Sequence, residues 1–173
     1  MILPYLTYCN LVWGNSNSTD INQLFLLQKK MIRIITNSAY LAHTNALFGQ
    51  LRLLKIFDIY TVQATTFMHK ITYNVLPAHS TSLFNRCSNT HGHHTRASIN
   101  NFFIEPRRTT LRSRTIRFSG PKLWNSLPNE IKEIRSLSRF KSIIINHILY
   151  SYIHNLDPSI TTVYLSSSKH ISH

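Results

Sequence analysis

The residues of this chain that can do chemistry are mostly cations. Residues 107–128 read RRTTLRSRTIRFSGPKLWNSLP, with Arg107, Arg108, Arg112, Arg114, Arg117 and Lys122 and no acid among them. Phe118 and Trp124 are interleaved with these charges. Cations beside aromatic rings are what a surface needs to sit on a phosphate backbone and stack on bases. The same stretch also reads as a solvated basic edge followed by a short helix packed through its tryptophan. A second set, Lys29, Lys30 and Arg33, falls at i, i+1 and i+4 of one helical pattern. Like charges so close repel mildly unless an anion screens them; the plainer reading is a solvated helix face.

Catalytic chemistry is hard to assemble from the rest. The only acids are Asp20, Asp58, Glu105, Glu130, Glu133 and Asp157. Two-metal phosphoryl transfer needs two or three carboxylates converging on one pocket. Only Glu130 and Glu133 are close in sequence, at a spacing that more often faces water. Gly14, Gly49, Gly92 and Gly120 form no glycine-rich phosphate loop, and no G-x-S-x-G elbow occurs. Cys87, His91, His93 and His94 invite a zinc reading, but no second closely paired cysteine group completes it. No catalytic residue, metal or cofactor is expected.

Charge sharpens the binding reading. The formal net charge is +13 over 173 residues, with a sequence pI near 10.2. Six cations face two acids in residues 1–76, against twelve cations and three acids in 77–156. Such a bias points to an anionic partner, most commonly nucleic acid. No apolar run is long enough to span a membrane, and the N-terminus has no signal-peptide pattern. Cys9, within an apolar run, reads as a small buried residue, and Cys87 as a loop residue, so no disulfide framework is expected. These features predict a soluble intracellular protein.

The elements that must position the cations are helices. Residues 1–14 are apolar on every side, which predicts a helix buried all round, with Trp13 as an anchor and Gly14 as its stop. One explanation is a chain that begins in mid-fold; the other is an ordinary central helix. After the turn residues 15–20, with Ser18 or Thr19 as cap, comes a helix with core positions Ile21, Leu24, Phe25, Gln28, Met31, Ile32 and Ile35. A short helix over 45–51 with Thr44 as cap precedes a long one over 55–74, ended by Leu76-Pro77. Residues 1–76 thus read as an antiparallel helical bundle.

The polar stretch 77–101 is the expected linker. Strands at 102–104 and 109–111 around Glu105-Pro106 predict one short β-hairpin. Continued as a strand, Arg112 and Arg114 would share a face with Ile116 and Phe118, so a helix over 114–126 is expected despite Gly120. Trp124, Leu127 and Pro128 anchor its end. A helix capped by Ser136 or Ser138 closes the basic segment 102–156, and 157–173 reads as a frayed tail. The expected fold is mainly α, a helical bundle followed by a small α+β segment and a C-terminal helix.

Four motifs in order carry a family resemblance: Leu3-Pro4-x-Leu6-x-Tyr8-Cys9-x-x-Val12-Trp13-Gly14, Leu24-x-x-Leu27-Gln28-Lys29-x-x-Ile32-Arg33-Ile34-Ile35, His94-Thr95-Arg96, and Gly120-Pro121-Lys122-Leu123-Trp124-Asn125-Ser126-Leu127-Pro128. Together they resemble the region after the palm in the reverse transcriptase of jockey-like non-LTR (LINE) retrotransposons. The resemblance covers residues 2 to about 151. It implies a C-terminal fragment with a thumb-like bundle, without the palm's paired aspartates and without the endonuclease, and so no polymerase activity of its own. It also implies RNA and DNA, as a template–primer duplex, as partners, together with the missing palm. Lys29, Lys30 and Arg33 would then face phosphates, in the nucleus or cytoplasm. The other open reading is a pseudogene-like or domesticated protein-interaction module.

Overall fold

The computed structural model describes residues 3–89, 100–106 and 108–154 and is mainly helical. The described residues form α1 (Leu3–Thr7), α2 (Asn10–Trp13), α3 (Ser18–Ile35), α4 (Thr44–Gln50), α5 (Ile56–Thr72), α6 (Ala78–Thr81), a 3-10 turn at Cys87–Asn89, α7 (Thr110–Arg114), α8 (Ile116–Asn125), α9 (Asn129–Lys132) and α10 (Leu137–His154). They fall into two compact units, one of residues 3–60 with 142–154, the other of residues 61–89, 100–106 and 108–141. Both boundaries lie inside helices, α5 and α10, so neither coincides with the composition change near residue 76.

In the first unit the expected single helix over 1–14 is broken. Cys9 takes a left-handed backbone (φ 48°) between α1 and α2, and it is exposed rather than buried. A left-handed residue with a Cβ costs about 1–2 kcal/mol. The break is held by the Trp13 indole, whose Nε1 donates to the Tyr8 carbonyl at 2.8 Å. It turns Leu6 and Trp13 onto a core of Ile21, Ile56 and Ile59, and leaves Tyr5, Tyr8 and Val12 exposed. Phe25 extends that core: its ring lies 6.1 Å from Phe48 and 5.4 Å, edge-on, from Phe57. The helix with no exposed residue from 61 to 71 is α5, so the most enclosed helical stretch sits mid-chain and not at the start.

Gln28 explains how α3 holds the start of α5. Its Oε1 accepts from the Ile56 N–H at 3.1 Å, and its Nε2 donates to the Leu54 carbonyl at 2.8 Å. One amide thus caps a helix start from another helix. Close by, Tyr152 donates to Asp58 and accepts from the Lys55 N–H at 3.1 Å. Burial raises the Asp58 carboxyl above 3.8, against the hydrogen bond from Tyr152 and the charge of Lys55.

The second unit is built around Trp124, which is fully buried. Phe102 (6.3 Å), Phe140 (6.0 Å) and His69 (6.4 Å) surround its ring, and its Nε1 donates to the Asn100 carbonyl at 2.9 Å. A Cβ at Gly120 in α8 would stand 2.9 Å from the Met68 sulfur, so a larger residue there would require that side chain to shift. Lys132, only 5 % exposed, donates from Nζ to Asn101 Oδ1 at 2.9 Å and to the Asn125 carbonyl at 3.2 Å. Burial lowers its pKa.

The expected hairpin is not formed by the described residues. Phe102 makes a single antiparallel bridge with Arg86, while residues 110 and 111 open α7. Thr109 decides this locally: its hydroxyl accepts from the Arg112 N–H at 3.3 Å and caps a helix start. Two other caps also differ or agree with expectation for local reasons. Asn17, without a side-chain cap, precedes α3, whereas Ser136 caps α10 through the Arg139 N–H at 3.4 Å.

Histidine burial gives the fold a pH dependence. Burial lowers the pKa of His69 below 6.5, partly offset by its 2.7 Å hydrogen bond to the Ile134 carbonyl, and burial lowers His147 likewise. With folded-state pKa values depressed, the unfolded chain takes up protons first. Stability is therefore present above 6.5 and is lost as pH falls toward the folded values. Asp58 acts in the opposite sense: its raised value favours the folded state below 3.8 and withdraws that support as pH rises through the folded value. The urea midpoint is expected to fall between about pH 7 and pH 5, and to fall less in a His69→Gln, His147→Gln variant. An equally steep fall in that variant would assign the effect elsewhere.

Candidate nucleic-acid interface

The C-terminal end of α3 builds the first candidate surface. The helix stops without glycine: Asn37 takes the left-handed conformation (φ 49°), the Ser38 N–H bonds the Arg33 carbonyl at 3.0 Å and the Asn37 N–H bonds that of Ile34 at 3.2 Å. Asparagine tolerates this backbone better than most residues, and the paired bonds satisfy the last carbonyls. The chain then turns again at 39–42, where the Ala42 N–H bonds the Ala39 carbonyl at 2.9 Å. Arg33 ties this turn to the helix, donating from Nε (3.2 Å) and Nη2 (3.0 Å) to the Ala42 carbonyl.

Between helix and turn lies an open cavity of about 510 Å³, lined by Lys30, Arg33, Ile34, Asn37, Ser38 and Tyr40. No carboxylate lines it. Tyr40 is 76 % exposed. The structure thus splits the three cations of α3. Lys30 and Arg33 share the cavity, whereas Lys29 is half-buried with its Nζ 4.4 Å over the Phe25 ring. Lys29 also lies near enough to Lys55 to help lower its pKa, behind the larger effect of burial and against the raising influence of Asp58. Lys29 therefore belongs to the environment of the α5 start.

The second candidate surface belongs to the other unit. Arg108, Arg112, Arg114, Arg117 and Lys122 are all exposed, on or beside α7 and α8; Arg107 lies outside the described residues. Arg112 and Arg117 both pair with Glu105, the latter at 2.7 Å from Nη2 to Oε1. Burial pushes the Glu105 carboxyl up, but the hydrogen bond from Arg112 and the charge and hydrogen bond of Arg117 outweigh it and hold the group below its ordinary value. A phosphate arriving here has to compete with that carboxylate for both guanidinium groups.

The interleaved aromatics do not serve this surface as the sequence suggests. Trp124 is enclosed in the core and Phe118 is half-buried, so neither ring stands free for a base. Leu127 is buried with Trp124, Pro128 precedes α9, and Trp13 is half-buried against the first unit's core. The exposed ring that lines the cavity with Lys30 and Arg33 is Tyr40. Its signal in the sequence is the run Asn37-Ser38-Ala39-Tyr40, a lone aromatic placed in turn chemistry just after a cationic helix end.

Among the described residues no group of three or more histidine, cysteine or acidic side chains could hold a metal ion. Cys87 opens the 3-10 turn, its N–H bonding the Asn101 carbonyl at 3.0 Å, and His91, His93 and His94 lie outside the described residues. Among the described residues no helix is long and apolar enough to cross a membrane. No protein-family model matches the chain, and no curated protein and no solved structure matches it.

Proposed function

We propose that the chain is a C-terminal fragment of a non-LTR retrotransposon reverse transcriptase that binds template–primer RNA and DNA and makes or breaks no bond itself. The four ordered motifs support the family reading, with the palm and endonuclease lying elsewhere in the parent polyprotein. The observation that carries the binding reading is the cavity at the end of α3. Two cations, an amide and an exposed ring line it without a single carboxylate. Such a lining favours an anionic ligand with aromatic bases. The fragment acts where RNA and DNA meet, in the nucleus or cytoplasm.

Binding of the full chain to an RNA–DNA duplex is expected to weaken with salt, with a log–log slope of about −0.7 to −0.9 per phosphate contact. Changing Lys30 and Arg33 to glutamate should weaken binding by roughly tenfold or more and flatten that slope, with little sequence preference. Lys29→Glu should weaken it far less, because that amine sits over Phe25. Fluorescence anisotropy across a salt series reads both. A flat salt dependence in the parent chain would sink the proposal.

One observation favours a second reading, a protein-docking module. Tyr5, Tyr8 and Val12 leave large apolar surface in water at α1 and α2. In that case a Tyr5→Glu, Val12→Glu variant loses binding of a hydrophobic dye and keeps its nucleic-acid affinity. No dye binding by the parent chain would remove this alternative.

A further inference from the structure

We propose that the cavity at the end of α3 takes an unpaired nucleotide, with its phosphate against Lys30 and Arg33 and its base stacked on Tyr40. This rests on the nucleic-acid reading above and narrows it from backbone binding in general to single-stranded nucleic acid at this site. Three observations carry it.

The first is the exposure of Tyr40. A ring standing 76 % in water offers its face to whatever enters, and Lys30 and Arg33 line the same cavity. A duplex presents phosphates to such a surface but keeps its bases stacked on each other, so the ring gains nothing from it. A single strand presents both.

The second is size. About 510 Å³ lies within the range of sites that hold one small molecule and matches one nucleotide rather than a stretch of helix.

The third is preorganisation. Tyr40 sits in the turn that the Ala42 N–H closes onto Ala39, and the Arg33 guanidinium clamps that turn by two hydrogen bonds to the Ala42 carbonyl. The guanidinium has five N–H donors, and these bonds use two of them. The remainder can meet a phosphate oxygen while the ring is held in place. Arg33 thus both positions the stacking ring and contributes charge. Asn37 supplies an amide at the rim that can donate to or accept from a base edge.

The test compares a short oligothymidylate with the blunt duplex of equal length, bound to the full chain in a salt series. Stacking of one base on a protein ring corresponds to a loss of about 5- to 150-fold on removal of the ring. Tyr40→Ala and Tyr40→Leu should each weaken the single strand by that factor and leave the duplex within about twofold, while Tyr40→Phe keeps single-strand affinity. Far-UV circular dichroism and the thermal midpoint establish that each variant is folded. If Tyr40→Ala leaves single-strand affinity unchanged, or weakens duplex and single strand equally, the inference fails and the backbone-binding reading stands. If the parent chain binds neither with any salt dependence, both fail together.

Discussion

Replacing Trp124 with alanine is expected to cost about 3–5 kcal/mol of stability, the range for truncating a large aromatic side chain inside a packed core. The side chain is fully enclosed, with Phe102, Phe140 and His69 around it. Three adverse effects combine. The apolar transfer energy of the ring is lost, its neighbours lose their contacts across the resulting void, and the Asn100 carbonyl loses its indole donor. A domain of this size holds only about 5–15 kcal/mol in total, so the variant lies near the limit of folding. Urea unfolding followed by far-UV circular dichroism measures it. Trp124→Phe should cost less, because it keeps most of the volume and loses only the N–H and part of the ring. A loss below about 1 kcal/mol for the alanine variant would place the ring outside the cooperative core.

Asn125→Ala should be nearly as costly, at about 2–5 kcal/mol, because two backbone groups depend on one side chain. Its Oδ1 accepts from the Phe102 N–H at 2.9 Å and its Nδ2 donates to the Phe102 carbonyl at 2.8 Å. The amide acts as a one-residue strand partner for a residue only 2 % exposed. Without it both peptide groups lose their protein partner in a place where water cannot easily replace it, at about 1–3 kcal/mol for each buried group left unsatisfied. Amide hydrogen exchange gives a local readout: the Phe102 N–H should exchange much faster in the variant. An unchanged rate would show that another acceptor takes over. This pairing also explains why Phe102 needs no hairpin. The expected second strand at 109–111 is replaced by a side chain from α8 and a single bridge to Arg86.

Much of this was readable from local signals. The start of α10 at Ser136, the stop of α5 before Leu76-Pro77, and the helix through Gly120-Pro121 all rest on chemistry confined to a few neighbouring residues. Trp124 and Leu127 are buried, as large apolar side chains at helical spacing commonly are, whereas Leu24 and Ile35, read as core positions of α3, stand exposed. The misreadings share a cause. Residues 1–14 look like one helix because nothing in their composition marks Cys9, whose left-handed backbone is held by an indole five residues from the carbonyl it serves. Thr109 and Thr110 favour strands on average, yet here a hydroxyl finds a helix N–H.

At the basic surfaces the division is sharper. The sequence alone determined that cations are abundant, that acids are too few to form an evident catalytic cluster, and that the charge is concentrated after residue 76. Only the tertiary structure decided which of those charges are available. Glu105 engages Arg112 and Arg117, Phe25 engages Lys29, and Lys30 and Arg33 share a cavity with Tyr40. Spacing along a helix fixes which side chains share a face. It cannot say what the rest of the chain brings against that face, because the relevant partners lie in turns and neighbouring elements whose positions are set by packing.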